Sequence, residues 1–467
     1  MTAAAMEGVQ AHVLRPAHAD LTCSAFYFLR IDNPVATRHL LRELLERGMT
    51  VSDAEARRRA SDPPDTPYIA VGFTRAGLDV LECTYVPNET QVPLGQADPF
   101  CTGMAARRTL LGDPDTTSWC GTGCNMLLWV AHAADRHLRL VDDLVEGLSI
   151  PRCEVEVGSR DKGDPVVLGF RDATSQPFVS ELASKTDRMP GGGTVTPDGW
   201  RPVPLGEFVL GSTDAGGERL LPTPEWLTRG ATFLVYRKYV IHREAFDAFV
   251  EDAGRKHYGQ DKGDAATVAA KILGRFRIGE SPPGLPAEYD ALIPPGTSPS
   301  TAPVGPNDFR YGRDTSGYAC PLGSHIRRAN PRDALGLDGL LTVRHRIIRR
   351  GVPWKDGNGR QGLHFVCVNA RIHDQFEFIQ RQWLNTGTAL RLGGDVDLIA
   401  GSWPEPSDGS GDEVQFVIQG TDPVVLRVPR RQPPDDRQGG PFSELQGGDY
   451  FLMPGLGGLT ELAQGRT

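Results

Sequence analysis

The sequence has no uninterrupted apolar stretch of the length that a bilayer-crossing helix needs, so no membrane span is predicted. Residues Met1 to Asp20 lack both the apolar core of a secretory leader and a twin-arginine start, which predicts a cytoplasmic protein. Positive charge is in deficit. Lys and Arg number 50 against 59 Asp and Glu, a formal charge of -9, so neither a nucleic acid nor an anionic membrane is an expected partner. Short runs such as Arg57-Arg58-Arg59 and Arg430-Arg431 read as solvated faces. The 8 cysteines are scattered through 467 residues, which excludes a small disulfide framework. Cys120 and Cys124 form the closest pair, but theirs is not the spacing of a redox CxxC, and no second Cys or His pair completes a zinc site. No short-period repeat is visible, so a solenoid is excluded. What remains is an ordinary soluble composition, 39% apolar and 23% charged, on a chain long enough for several domains or one large duplicated fold.

A strand-helix-strand order occurs twice. In the first half, Ala25 to Ile31 is short and aromatic, a strand, and Pro34 to Arg47 follows with Leu40, Leu41, Leu44 and Leu45 on one helical stripe. Tyr68 to Phe73 reads as a second strand and Met126 to Val130 as a third, leading into a helix through about Leu144. In the second half, Thr232 to Tyr236 is a strand followed by a helix near Glu244 to Ala253. Gly362 to Val368 then leads into a helix whose Ile372, Phe376, Ile379 and Trp383 share a buried face. The pattern predicts two α+β halves packed on each other. Within the second half, Ser281 to Asn307 is rich in Pro, Gly and Ser, a loop that reads as a lid or cavity wall, with a surface linker as the alternative.

Three segments carry candidate chemistry. Gly169 to Pro177 places Asp172 in a turn after a probable strand. Cys320-Pro-Leu-Gly-Ser-His-Ile-Arg-Arg-Ala-Asn-Pro-Arg332 sets His325 beside an Arg pair. Val343 to Pro353 reads as a basic strand ending at a turn. Each alone is a weak signal, because a single His is more often a hydrogen-bonded structural residue than a ligand. Together with Pro204 to Gly211, Arg229 to Lys238, Arg344 to Gly351, Phe376 to Trp383 and Gly448 to Pro454, they make the chain resemble the dye-decolorising (DyP-type) haem peroxidases nearly end to end.

The resemblance implies an α+β fold of two duplicated ferredoxin-like modules with antiparallel sheets in a barrel-like arrangement. Residues 1–195 would carry the distal acid and residues 196–467 the haem ligand. It implies haem b as cofactor, hydrogen peroxide and an organic electron donor such as a dye or phenol as substrates, and it leaves a homo-oligomer open. His325 falls at the position of the iron's protein ligand, and Asp397 where an acid accepts the ligand's other N–H. Asp172 matches the distal acid and Arg349 the distal arginine. Arg344, Arg346 and Arg327 are unranked candidates for pairing the haem propionates. A carboxylate can shuttle the proton that peroxide must move, whereas an arginine keeps its charge beside the departing oxygen. A carboxylate base implies an acidic working pH.

One departure stands out. The family's distal motif has Gly after the acid, and this sequence has Ala173, which would be strained at positive φ or crowd the pocket. That substitution motivates two alternatives on the same scaffold, a haem-dependent oxidase or oxygenase of specialised metabolism and a non-catalytic haem-binding protein. Trp119, Trp200, Trp354, Trp383 and Tyr450 are available in principle to relay electrons, with packing the simpler role for each.

Overall fold

In the first half the expected order is realised as β1 (Cys23–Leu29), α1 (Pro34–Glu46), β2 (Tyr68–Phe73), β3 (Met126–His132), α2 (Asp135–Gly147) and β4 (Arg152–Ser159). α1 starts where its sequence dictates. The Asn33 side chain accepts from Val35 N at 2.9 Å and Ala36 N at 3.3 Å, and Pro34 occupies a first-turn position that needs no N–H donor. Its buried stripe is Thr37, Leu40, Leu41 and Leu44. After a small hairpin, β5 (Thr194–Thr196) with β6 (Gly199–Arg201), the order recurs. It runs through β7 (Thr232–Ile241), α3 (Arg243–Tyr258), α4 (Lys262–Leu273), α5 (His325–Ala329), β8 (Ile348–Arg349), β9 (Val352–Lys355) and β10 (Gln361–Asn369). A hairpin, β11 (Glu413–Ile418) with β12 (Val424–Pro429), precedes β13 (Ser443–Met453) and α6 (Leu456–Gln464). The computed structural model describes residues 8–16, 19–59, 65–88, 96–114, 123–159, 167–170, 175–182, 191–196, 199–258, 262–277, 307, 309–392, 395–403, 413–429 and 442–466.

The main sheet has the order β4-β1-β3-β2-β13-β7-β10-β8, with β9 also on β10, and every pairing in it is antiparallel. Each half therefore arranges its strands as fourth, first, third, second, which is the duplicated ferredoxin-like architecture. The halves meet edge to edge in a single sheet through Leu452 and Phe73, a closer union than two separately packed units. The sheet also curls until its far edges touch. A Cβ on Gly158 of β4 would lie 2.6 Å from the Pro353 carbonyl oxygen of β9, so only glycine permits that approach. His364 Nε2 reaches Val157 O at 3.3 Å, and Lys238 pairs with Glu156 across the same seam. Inside the resulting barrel lie Phe26, Phe28, Trp129, Tyr236, Val366 and Phe451. Outside it, α1, α2 and α6 cover the opposite face through Leu40, Val141 and Leu459.

Two expected elements differ. The helix after β10 is π-helical over 373–384, with Glu377 N bonded to Ile372 O and Asn385 N to Gln380 O, both at 2.9 Å. The widened turn, a form often found at functional sites, leaves Phe376, Ile379 and Trp383 all facing the same cavity. The basic strand expected over Val343 to Pro353 shrinks to two residues of β8. Residues 340–343 form a helical turn, and His345 N and Arg346 N continue it onto Thr342 O and Val343 O.

Candidate active site

A cavity of about 240 Å³ lies on the outer face of the second module's sheet. Alternation fixes which strand residues reach it: Tyr239 and Ile241 on β7, Leu363 and Phe365 on β10. Arg349 pairs with Cys367, two residues beyond Phe365, so the register places Arg349 on this same face. Across the cavity stand His325, Ile326 and Ala329 of α5, with Ile379, Trp383 and Leu384 of the π-helix beside them. The cavity thus has a flat apolar wall bearing a guanidinium and a facing helical wall bearing an imidazole.

α5 is a single turn, too short to hold itself, and two buried arginines brace it. Arg327 donates to Cys320 O at 2.7 Å, Asp314 O at 2.8 Å and Asp314 Oδ2 at 3.1 Å. Arg328 donates to the carbonyls of Gly323, Trp383, Thr386 and Asp395. His325 Nδ1 lies 3.0 Å from Asp397 Oδ1 and 3.2 Å from Oδ2. Asp397 is fully buried, and its Oδ1 also accepts from Ile399 N at 3.0 Å and Ala400 N at 2.7 Å. Burial alone would raise the carboxyl's pKa. The facing His325, Arg328 and the Ala400 N–H outweigh it and hold the group below the usual carboxylate range. An anionic Asp397 accepts only, so the proton sits on His325 Nδ1 and the Nε2 lone pair is left for the cavity. Among the described residues Nε2 has no hydrogen-bond partner, and the ring is about a quarter exposed to the cavity.

Arg346 lines the cavity with no ion-pair or side-chain hydrogen-bond partner among the described residues. Burial pulls its pKa down to about 9, and the neighbouring Arg332 and Arg349 guanidinium groups add to the effect. A buried cation among like charges calls for an anion, and a ligand carboxylate would supply one. The donor set therefore fits a flat apolar cofactor with a metal at its centre and carboxylates at its rim: one oriented imidazole, apolar faces, one unmatched guanidinium.

The other expected residues are placed as follows. Arg327 is spent on Asp314 and Cys320 and does not line the cavity. Arg344 is half exposed and turned to Asp214 and Glu218, at 3.5 Å and 3.8 Å. Both guanidinium groups lie away from the cavity rim, which leaves Arg346 as the one member of that trio in it. Asp172, Ala173 and Trp119 lie outside the described residues, as does most of the 281–307 loop. The residues just after Asp172 are nevertheless tied to the site. Gln176 binds the Arg349 backbone twice, accepting from its N–H at 3.0 Å and donating to its carbonyl at 2.8 Å, and Ser175 accepts from Arg332 at 2.9 Å.

Sequence reasoning missed Arg275 and Arg332. Both hold Asn307, Arg275 through the side chain at 2.8 Å and Arg332 through the carbonyl at 2.6 Å, and Arg275 lines the cavity. Asn307 is the last residue of the Pro- and Ser-rich stretch, and neither arginine falls in a periodic element that would have marked it in the sequence.

Residues 217–392 match the family model described as Dyp-type peroxidase, C-terminal. The chain is 28% identical over 442 residues to the multifunctional dye peroxidase DyP2 of Amycolatopsis sp., covering 85% of this chain and 82% of that protein. It is 24% identical over 422 residues to the dye-decolorizing peroxidase msp1 of Mycetinis scorodonius, covering 84% and 75%. A fungal DyP-type peroxidase from Auricularia auricula-judae has the same fold, with a TM-score of 0.77 at 20% identity over 98% of this chain and 99% of that one.

Proposed function

We propose that the chain is a dye-decolorising peroxidase, a haem b enzyme that reduces hydrogen peroxide and oxidises organic donors, and that His325 Nε2 is the iron's protein ligand. The observation that carries this assignment is the 3.0 Å contact of His325 Nδ1 with the buried Asp397, on the wall facing Arg349. Bound haem supplies the iron at which the peroxide O–O bond is broken. Asp397 keeps the proton on Nδ1 and raises the basicity of Nε2. Arg346 pairs a propionate. Arg349 holds a positive charge where the departing oxygen gains negative charge, and Gln176 fixes the backbone that carries it. Asp172 moves the peroxide proton from one oxygen to the other. The division into modules 1–195 and 196–467 then separates the distal acid from the iron ligand.

The experiment is a visible spectrum of the haem-loaded protein beside that of His325→Ala. Loss of the normal Soret band in the variant is expected, and an unaltered band would sink the ligand assignment. Among the described residues no helix is long and apolar enough to cross a membrane. The described cysteines are all free, which supports a reduced, cytoplasmic setting. A homo-oligomer is compatible with this reading, and sedimentation of the haem-loaded protein decides it.

A further inference from the structure

Tyr236 lies inside the barrel, fully buried, one sheet thickness behind the cavity. Its strand partner Val366 is next to Phe365, and Tyr239, three residues along the same strand and roughly 10 Å away by strand rise, also faces the cavity. The Tyr236 hydroxyl is 2.8 Å from His364 Nδ1, and His364 Nε2 is 3.3 Å from Val157 O. A carbonyl only accepts, so Nε2 carries the ring's proton, Nδ1 presents its lone pair, and the phenol donates to it. Burial pushes the His364 imidazole down to about 3, so it is neutral and able to accept a proton at any working pH of the enzyme. The two rings stack at 5.9 Å and 25°. Around them are Phe26 and Phe28, at 5.1 and 4.9 Å from the phenol, and Trp354, 6.0 Å from the imidazole and near the surface at 8% exposure.

We propose that Tyr236 and His364 form a proton-coupled redox pair that takes up an oxidising equivalent from the cofactor. The pair depends on the peroxidase reading for its oxidant, the peroxide-oxidised haem. In the step, one electron leaves the Tyr236 phenol for that oxidised centre. The phenolic O–H bond breaks, and an N–H bond forms on His364 Nδ1. The products are a neutral phenoxyl radical, an imidazolium and a cofactor reduced by one electron. A phenol that has lost an electron is a far stronger acid than an imidazolium, so even this buried imidazole accepts the proton. An electron from an organic donor, arriving through Trp354 or the cavity, returns the proton and restores the pair. Glu154, Glu156 and Lys238 are the charged groups nearest to it, and Glu156 offsets the Lys238 charge beside the imidazolium. Tyr450 lacks this arrangement. Its hydroxyl donates at 2.9 Å to Glu377, a carboxylate already paired with Arg107, and not to a neutral imidazole.

The test mixes haem-loaded protein with one equivalent of hydrogen peroxide, without donor, and follows both the haem absorption and the freeze-quenched electron paramagnetic resonance spectrum. A tyrosyl signal is expected in the native protein, lost in Tyr236→Phe and diminished in His364→Phe, while the peroxide-induced change in the haem band persists in all three. Tyr236→Phe removes only the hydroxyl and is the variant that keeps the packing. A tyrosyl signal of undiminished intensity in Tyr236→Phe overturns the proposal. So does its absence from the native protein when the haem band responds to peroxide. A haem band that does not respond to peroxide at all refutes the peroxidase reading itself, and the pair loses its oxidant with it.

Discussion

Replacing Asp397 with Asn sets a tautomer trap. The carboxylate does two jobs at once, since Oδ1 takes the backbone N–H groups of Ile399 and Ala400 while the same carboxylate faces His325 Nδ1. An asparagine has one acceptor oxygen and one donor nitrogen. If its oxygen keeps the two N–H groups, its NH2 faces Nδ1 at the 3.2 Å position of Oδ2, and the imidazole proton must move to Nε2, where it blocks iron ligation. If the amide flips, the ligand keeps its tautomer, but two backbone donors meet an NH2 group. Either way a charge-assisted hydrogen bond, about 1.5–3 kcal/mol, is lost. At about 1.4 kcal/mol per tenfold, haem affinity should fall roughly 10- to 100-fold, the range typical for the partners of metal ligands. Titration of the apo-protein with haem, followed at the Soret band in competition with a haem-binding globin, measures this directly. The ferric/ferrous reduction potential should rise as well, because a neutral partner no longer increases imidazole basicity. A folded Asp397→Asn protein with native haem affinity and native potential would refute the argument.

The same carboxylate sets an acid limit on the apo-protein. Its folded pKa is depressed, so the stability it contributes is fully present above the unfolded value, about 3.9, and is lost as pH falls through the folded value. The melting-temperature gap between native protein and Asp397→Asn should therefore hold from neutrality to about pH 4 and close below it; a gap that closes nearer pH 6 contradicts the assignment. Arg346→Met should raise the apo melting temperature, because it removes a buried cation that Arg332 and Arg349 repel, yet weaken haem binding by about 10- to 100-fold through the lost propionate contact. Two changes of the same sign would argue against it. Arg327→Met breaks the buried pair with Asp314 and should cost about 3–5 kcal/mol in urea unfolding. Arg344→Met should leave haem affinity unchanged in the same titration used for Asp397→Asn. Arg349→Met should slow the reaction with peroxide by about 10²- to 10³-fold in stopped-flow absorbance, with haem affinity preserved.

The fold was legible where one face of an element is buried and the other is not. The Leu40, Leu41 and Leu44 stripe of α1 and the aromatic run of β1 announced themselves because burial imposes a period on the sequence. Elements without that contrast went unread. β4 is exposed along half its length, with Arg152, Cys153, Glu154 and Val155 all outside the core. β13 carries Gly447 and Gly448 at a register shift next to Arg237 and Lys238. The closure of the sheet was invisible for a related reason. It depends on one missing side chain, at Gly158, and a glycine in a strand signals a close approach without naming what approaches.

The active site divides along the same physical line. His325, Asp397 and Arg349 were offered by the resemblance alone, and the structure gathers them at one cavity, each tied to the backbone at fixed points: α5 by Arg327 and Arg328, Asp397 by two N–H groups, Arg349 by Gln176. The arginines could not be sorted. Arg327, Arg344 and Arg346 are chemically identical in a sequence, and what separates them is which anion each side chain meets. Arg327 meets Asp314 and Arg344 meets Asp214, residues 13 and 130 positions away. Arg346 meets no carboxylate among the described residues. A site that ends in an unmatched buried charge is incomplete by its own electrostatics, and the charge it lacks is the one that the propionates of haem carry.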